Sequence, residues 1–212
     1  MQNLIPQHPL SLKVRRNKAT GYDNIPPRAI KESAEILCYP FSILFNHLLE
    51  NSRTPQQWKL ESHQFPKRIV ARLTKSNYRP ITILPSLSKI FETLVHSRIS
   101  HYFNDIFHED VFAYRKNHGT DTALVSHTEQ WRKELDQHNI IGIVSMDLSK
   151  AFDTLPHDLK RGKIKSYGAD DKTSELIHDY LTNQRQRVRL GDQLSNWKEI
   201  SARVPQGSVL GP

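Results

Sequence analysis

The sequence predicts an α+β fold in which helices predominate and strands are short and scattered. Two observations support this fold class. Apolar residues recur at helical spacing over several long stretches of the chain. The runs with strand character are few, and they do not alternate regularly with helices as they would in a parallel α/β sheet. With 212 residues, the chain can form one large domain or two small ones.

The N-terminal region combines an irregular arm with the first helical pattern. Residues 1–27 are polar and contain several prolines, which predicts a loop or an extended arm. Apolar residues then take helical spacing over residues 28–50. Pro40 interrupts this pattern, and proline cannot donate the hydrogen bond that a helix interior requires. We therefore expect two helices, or one helix with a kink at Pro40.

The middle of the chain contains the strongest amphipathic pattern. Residues 51–80 are basic and contain prolines, and they predict irregular chain with possible short strands. Residues 87–103 predict an amphipathic helix, with Ser86 or Ser88 as its N-cap. A second helix is predicted from about residue 120 to residue 135.

The C-terminal third mixes strand and helix signals. The apolar run at residues 140–144 predicts a short buried strand that ends beside Asp147. A helix is predicted over residues 171–181, with Asp170 or Asp171 as its cap. Residues 186–200 predict a hairpin that turns at the Gly191-Asp192 pair. The candidate inward-facing residues of this hairpin are Val188, Leu190, Trp197 and Ile200.

The charge balance is compatible with a polyanionic partner. The chain has 30 Lys and Arg residues against 22 Asp and Glu residues, which gives a net charge of +8. Such an excess is typical of nucleic-acid-binding proteins. A basic surface without a dedicated partner explains the charge equally well, so composition alone leaves both interpretations open.

The sequence excludes several classes of protein. Cys38 is the single cysteine, so no intrachain disulfide can form and a reducing compartment is expected. No apolar run is long enough to cross a bilayer, and no signal peptide is visible. We therefore expect an intracellular protein, with nucleus and cytoplasm unresolved. The 11 histidines show no zinc-ligand spacing, and no phosphate loop or nucleophile elbow is complete.

One acidic segment carries more chemical information than the rest. Asp147 follows the apolar run, and Phe152 and Asp153 come five and six residues later. A carboxylate at the end of a buried strand must be solvated, paired or bound to a metal, because an unpaired buried charge is too costly.

Four segments in a fixed order give the chain a specific resemblance. They are Asn77-Tyr78-Arg79-Pro80-Ile81, then Phe112-Ala113-Tyr114-Arg115 with Gly119-Thr120, then Asp147-Leu148-Ser149-Lys150-Ala151-Phe152-Asp153, and finally Pro205-Gln206-Gly207-Ser208-Val209-Leu210-Gly211-Pro212. The chain resembles the reverse transcriptases of non-LTR (LINE-type, jockey-like) retrotransposons. This resemblance extends from about residue 18 to the last residue and includes Leu87-Ser88-Lys89-Ile90-Phe91-Glu92.

The resemblance implies the fingers and an incomplete palm of a right-hand polymerase. On this basis residues 1–27 form a basic arm or linker, residues 28–138 form a mostly helical fingers region, and residues 139–212 form a partial palm. The implied activity is RNA-directed DNA synthesis on an RNA template with a DNA primer, using dNTPs. The oligomeric state is not indicated.

The same resemblance assigns a metal-binding role to the start of the acidic segment. Asp147 matches the first palm aspartate, which binds the two catalytic Mg²⁺ ions of the family, and the backbone carbonyl of Leu148 is an expected additional ligand. This role suits the residue chemically. Mg²⁺ prefers oxygen ligands, and a pair of ions holds both the attacking and the leaving oxygen of a nucleotidyl transfer.

Four other residues match nucleotide-binding positions of the family. Arg79 matches the fingers arginine that contacts the triphosphate, a role that suits the bidentate guanidinium group. Phe152 matches the ring that excludes a 2′-hydroxyl, and Gln206 with Gly207 matches the turn near the nascent base pair. Without the resemblance, a loop arginine and a core aromatic ring are the simpler interpretations of Arg79 and Phe152.

Basic residues in two segments are candidates for contacts with the phosphate backbone. Arg115 and Lys116 lie in a predicted loop, and alternate positions place Arg185, Arg187 and Arg189 on one face of a predicted strand. A solvated basic face without a ligand is an equally good interpretation of these residues.

One expected feature of the family is absent from these 212 residues. The family carries paired aspartates in a Tyr-x-Asp-Asp box after the Pro-Gln-Gly segment, whereas this sequence stops at Pro212. The stretch from Tyr167 to Asp171 resembles that box but has one residue too many and precedes Pro-Gln-Gly. We therefore expect a polymerase fragment that is inactive alone, or alternatively a non-catalytic nucleic-acid-binding remnant of a mobile element.

Overall fold

A computed structural model describes residues 20–21, 23–58, 61–66, 78–147, 156–190, 193–200 and 207–211. Within these ranges the protein is mostly helical with two small sheets, in agreement with the predicted mixture of helices and few strands. The elements are α1 Pro27–Glu32, α2 Ala34–Asn51, β1 Glu61–Pro66, β2 Tyr78–Ile83, α3 Ser86–Asn104, α4 Thr120–Asp136, α5 His157–Ser166, α6 Asp171–Leu181, β3 Arg185–Gln186, β4 Val188–Leu190, β5 Gln193–Leu194 and β6 Lys198–Glu199.

The first helical region is divided, but not at the proline. The break between α1 and α2 falls at Ser33, whereas Pro40 lies inside α2. Helix α2 accommodates Pro40 because both Pro40 and Ile36, whose carbonyl loses its partner, are exposed to solvent. The region therefore forms two helices as predicted, but the predicted boundary at Pro40 is wrong.

Helix α3 begins without a side-chain cap. Its N-cap residue is Pro85, and no side chain hydrogen bonds to the first-turn amides. The prediction that Ser86 or Ser88 caps the helix is therefore wrong. Both serines lie in the first turn and are buried, and the Ser88 hydroxyl donates to the Glu92 carboxyl group instead. The predicted helix itself is confirmed.

The main hydrophobic core is formed by the four helices α1, α2, α3 and α6. Phe45 of α2 is fully buried, and its ring centroid lies 5.4 Å from that of Phe91 on α3. The ring centroid of Trp58 lies 5.6 Å from that of Phe91. The buried members of this core are Ile30, Phe45, Leu48, Ile90, Phe91, Val95 and Leu176. Residues from both sides of the predicted boundary at 138/139 share this core, and the division into domains stays a prediction.

Polar contacts fasten α6 to the loop that follows α2. The Asp179 carboxylate accepts hydrogen bonds from both the backbone amide and the hydroxyl of Thr54, at 2.6 and 2.8 Å. The Ser52 hydroxyl donates to the carbonyl of Lys172 at 3.0 Å. These bonds hold the side of α6 that carries Leu176 against the core.

The N-terminus of α6 is capped as predicted. The Asp170 side chain accepts a hydrogen bond from the Thr173 amide at 2.9 Å, and the Thr173 side chain together with this amide lowers the pKa of the Asp170 carboxyl group. We expect Asp170→Ala to lower the free energy of unfolding by about 1 kcal/mol. Urea unfolding followed by circular dichroism measures this loss. Asp170→Asn, which retains a cap acceptor, is the control, and an equal loss in both variants contradicts the capping role.

The larger sheet combines strands from both halves of the chain in the order β2-β1-β4-β5. Strands β1 and β2 are antiparallel, β1 and β4 are parallel, and β4 and β5 are antiparallel. The β4–β5 pair confirms the predicted hairpin, although its turn at residues 191–192 lies outside the described residues. A second, two-stranded sheet pairs β3 with β6.

The predicted inward-facing residues of the hairpin region have different environments. Ile200 is buried as predicted, whereas Trp197 is exposed and lies beneath the guanidinium group of Arg187. The prediction for Trp197 is therefore wrong. Val188 is half-buried, and the side chain of Leu190 lies outside the described residues.

The apolar run before Asp147 is not a buried strand, so this prediction is wrong. Residues 140–147 form no strand or helix, and Ile140, Val144 and Met146 are each at least 85% exposed. A strand requires a neighbour to satisfy its backbone groups. In the described ranges of the chain, no strand pairs with this segment.

Helix α4 confirms the helix predicted over residues 120–135, but it packs little. It contains no buried residue, and Leu124, Val125 and Leu135 are all more than half exposed. Within the ranges that the structure describes, no helix is both long and apolar enough to cross a membrane.

Candidate functional site

The segment Gly207–Leu210, here called the anchored turn, is held against α3 by a buried glutamate. The amide of Val209 donates to Glu92 Oε2 at 2.8 Å, and the Ser88 hydroxyl donates to Oε1 at 3.1 Å. Gly207 adopts a φ of +102°, a conformation that side chains rarely tolerate. The anchored turn therefore combines a glycine-dependent bend with a fixed backbone two residues later.

Sequence reasoning missed the burial of Glu92. The residue is fully buried, which is rare for a glutamate. Its spacing contained a signal, because Ser88, Glu92 and Val95 follow each other at four and three residues and so share one helix face. Val95 belongs to the core, and this places the carboxyl group of Glu92 on the inward side of α3.

The environment of Glu92 favours its neutral form. Burial raises the pKa of the carboxyl group from 4.5 to about 7, while hydrogen bonds from Val209, Ser88 and Leu210 oppose the increase. The hydroxyl of Tyr180 on α6 faces the same carboxyl group, although it lacks a well-aligned hydrogen bond in the described part of the chain. The carboxyl group of Glu92 thus lies where α3, α6 and the anchored turn meet.

Two of the candidate arginines occupy neighbouring strands of the larger sheet. Arg79 lies in β2 opposite Phe65 of β1, and Arg189 lies in β4 opposite His63 of β1. Strand pairing therefore brings the backbone at two distant sequence positions to either side of β1. The side chains of both arginines lie outside the described residues.

Asp147 is exposed at the end of residues 140–147, which form no strand or helix. Leu148, Phe152 and Gln206 lie outside the described residues. Across the parts of the chain that are described, no group of three or more His, Cys, Asp or Glu side chains could hold a metal ion. Mg²⁺ binding by Asp147 and Leu148 therefore stays a prediction, as do the nucleotide-binding roles of Phe152 and Gln206.

The predicted phosphate-contacting loop is held in place by its own arginine. The Arg115 guanidinium donates to the carbonyls of His108 and Val111 at 3.1 and 3.2 Å, and it contacts Asn104 at 3.4 Å. Arg115 thus stabilises the loop after α3 through hydrogen bonds. Lys116 beside it is exposed.

The arginine run does not lie on one strand face, so this expectation is wrong. Arg185 lies in β3 and Arg189 in β4, which belong to different sheets, and Arg187 lies between the two strands. Arg185 pairs with Glu199 across β3 and β6 at 3.4 Å. The guanidinium group of Arg187 stacks 4.6 Å from the Trp197 ring centroid.

Comparison with known proteins places these features in one family. The family described as reverse transcriptase (RNA-dependent DNA polymerase) matches residues 65–212. Similar proteins include the probable RNA-directed DNA polymerase from transposon X-element of Drosophila melanogaster, 32% identical over 206 residues that cover 92% of this chain and 22% of that protein.

Two further relatives extend this similarity. The probable RNA-directed DNA polymerase from transposon BS of Drosophila melanogaster is 28% identical over 204 residues, or 92% of this chain and 22% of that protein. The RNA-directed DNA polymerase from mobile element jockey of Drosophila funebris is 28% identical over 222 residues, which cover 100% of this chain and 24% of that protein. The chain thus spans about a fifth to a quarter of the length of these relatives.

Proposed function

Because the chain belongs to the reverse transcriptase (RNA-dependent DNA polymerase) family, we propose that it forms the fingers and the first part of the palm of a retrotransposon polymerase. The observation that carries this proposal is the family match over residues 65–212, which spans Arg79, Asp147 and the anchored turn in their expected order. The polymerase copies RNA into DNA from dNTPs and a DNA primer, and its relatives belong to non-LTR elements of the X-element, BS and jockey type.

In this proposal the sheet and the anchored turn border one substrate-binding region. Arg79 in β2 contacts the triphosphate of the incoming nucleotide, and Arg189 flanks β1 from the other side. Phe152 lies beneath the sugar, while Gln206 and Gly207 lie at the nascent base pair. Arg115, Lys116, Arg185 and Arg187 contribute positive charge toward the phosphate backbones.

Asp147 supplies one carboxylate for Mg²⁺ in this proposal. Its exposed oxygens are hard ligands that suit Mg²⁺, and the backbone carbonyl of Leu148 is a second oxygen donor next in sequence. When bound, Mg²⁺ neutralises phosphate charge and orients the reacting oxygens. A single carboxylate does not complete a two-ion site, so we assign no catalytic step to the 212-residue polypeptide alone.

Primer extension tests the role of Asp147. The substrate is an RNA template annealed to a DNA primer, with Mg²⁺ and dNTPs. The assay uses a chimera in which this chain replaces the matching segment of the X-element polymerase. We expect Asp147→Ala to reduce extension by more than about 100-fold, because losing a metal ligand costs more than losing an outer-shell contact.

The matched control is Asp136→Ala, which removes an exposed carboxylate at the end of α4. It should extend the primer like the unaltered chimera. Equal activity of the Asp136→Ala and Asp147→Ala variants contradicts the metal-ligand role. Extension by the 212-residue polypeptide alone that disappears in Asp147→Ala contradicts its expected inactivity.

A second candidate function is nucleic-acid binding without catalysis. The net charge of +8 and the exposed Lys116 favour it. Both candidates require binding to a primed template that weakens steeply with salt, because phosphate contacts release counterions. Fluorescence anisotropy with labelled template and primer measures this dependence. Binding that is absent even at low salt contradicts both candidates, and extension by the chimera supports the polymerase.

A further inference from the structure

Glu92 combines complete burial with bonds to a segment that lies far from it in sequence. The core residues Phe91 and Val95 lie one and three residues from Glu92 on α3. A carboxyl group in such surroundings needs hydrogen-bond donors, because an unsatisfied buried polar group is costly. Helix α3 supplies one donor, the Ser88 hydroxyl, and the anchored turn supplies the Val209 amide.

The anchored turn is held at two consecutive residues. The Val209 amide donates a hydrogen bond to Glu92 Oε2 at 2.8 Å, and the backbone of the adjacent Leu210 faces the same carboxyl group. The Leu210 side chain packs against the main core and against the cluster of Tyr180 and Leu181. Polar and apolar contacts therefore fix the same short stretch of backbone.

Gly207 precedes this fixed point by two residues. Its positive φ bends the chain immediately before Ser208, which is itself buried. Because the bend is short and its far end is fixed, the position of Glu92 determines where the Gly207 backbone lies relative to α3.

We propose that Glu92 is a positioning residue, which fixes the anchored turn from α3 and thereby aims Gly207 at the template base and the incoming nucleotide. This inference rests on the proposed function, because that function is what places the turn at the nascent base pair. Glu92 does not touch the substrate in this arrangement. It acts through the backbone amide of Val209.

The first measurement tests the hydrogen bond between the Val209 amide and Glu92 in the 212-residue chain. Amide exchange by NMR should show slow exchange at Val209, and Glu92→Met should accelerate it at least about tenfold, because the hydrogen bond from the Val209 amide to the Glu92 carboxyl group is lost. Glu92→Gln retains an acceptor oxygen and should restore slow exchange. Fast exchange at Val209 in the unaltered chain overturns the proposal whether or not the variants fold.

The second measurement tests whether this hydrogen bond sets the position of the anchored turn relative to the template. The probe is an RNA template with 4-thiouridine at its first unpaired position, annealed to a DNA primer in the presence of Mg²⁺. After ultraviolet cross-linking, trypsin cleavage at Arg203 releases the peptide that begins at Val204 and contains the anchored turn. We expect this peptide to carry the cross-link in the unaltered chain and in Glu92→Gln.

The Glu92→Met variant should lose this cross-link at least about tenfold while its affinity for the primed template stays within about threefold, because phosphate contacts dominate affinity. The matched control is Ser88→Ala. This variant removes the hydroxyl donor on α3 but keeps the hydrogen bond from Val209, and it should retain the cross-link.

The outcomes separate this inference from the proposed function. If the unaltered chain does not bind the primed template at any salt concentration, the proposed function fails and the inference fails with it. If binding is normal and Glu92→Met cross-links like the unaltered chain, the inference alone is overturned. A cross-link that maps outside the Val204 peptide in the unaltered chain also overturns the inference alone.

Discussion

Phe45→Ala is expected to lower the free energy of unfolding by about 3–5 kcal/mol, the range for truncating a large aromatic side chain in a core. Phe45 is fully buried, and its ring contacts those of Phe41 and Phe91 with centroid separations of 6.0 and 5.4 Å. The change leaves a cavity where α1, α2, α3 and α6 meet. Since small domains are stable by only about 5–15 kcal/mol, the loss is a large fraction of the total.

Urea unfolding followed by circular dichroism measures this effect. The matched control is Ile43→Ala, because Ile43 lies on the same helix two residues earlier and is 54% exposed. That change should cost no more than about 0.5 kcal/mol apart from a small difference in helix propensity. Equal losses in the two variants contradict the core described for α2.

The second large effect is a dependence of stability on pH that originates at Glu92. Its pKa is raised by burial from 4.5 to about 7, so folding favours the protonated carboxyl group. The contribution is fully present below pH 4.5 and is lost as the pH rises through 7. The separation between 4.5 and about 7 corresponds to about 3 kcal/mol. In the described part of the chain, the titratable group that faces Glu92 is Tyr180.

Glu92→Gln isolates this contribution, because glutamine keeps an acceptor but cannot ionise. The free energy of unfolding of Glu92→Gln relative to the unaltered chain should increase by about 3 kcal/mol between pH 4.5 and pH 8. Denaturant unfolding at several pH values measures this difference. Glu109→Gln, at an exposed loop position, is the control and should show little change. A difference for Glu92→Gln that is constant with pH contradicts the raised pKa.

Local patterns were sufficient to predict the elements that depend mainly on local sequence. The amphipathic helices α3 and α6, the exposed helix α4 and the β4–β5 hairpin lie where periodicity and turn residues indicated. The Asp170 cap is likewise a short-range signal that needs no tertiary contact. The ordered motifs also identified the family, which the comparison with known proteins confirms.

The wrong predictions concern features that depend on contacts distant in sequence. An apolar run such as residues 140–144 indicates a strand only if another strand is available to pair with it. The pattern at Arg185, Arg187 and Arg189 predicts a single strand, but β3 and β4 join different sheets. The position of Glu92 could not be predicted in this way, because its hydrogen-bond donor Val209 lies more than a hundred residues later in the sequence.

The parallel pairing of β1 with β4 has a consequence for synthesis of the chain. Strand β1 can pair early with β2 on one edge, but its partner on the other edge, β4, is made about 125 residues later, which at ribosomal rates of about 5–20 residues per second is on the order of 10 s. Leu176, which completes the core around Phe45 and Phe91, is also made late. A nascent chain therefore exposes its aromatic residues and an open strand edge for seconds, and chaperone binding during translation is expected to limit its aggregation.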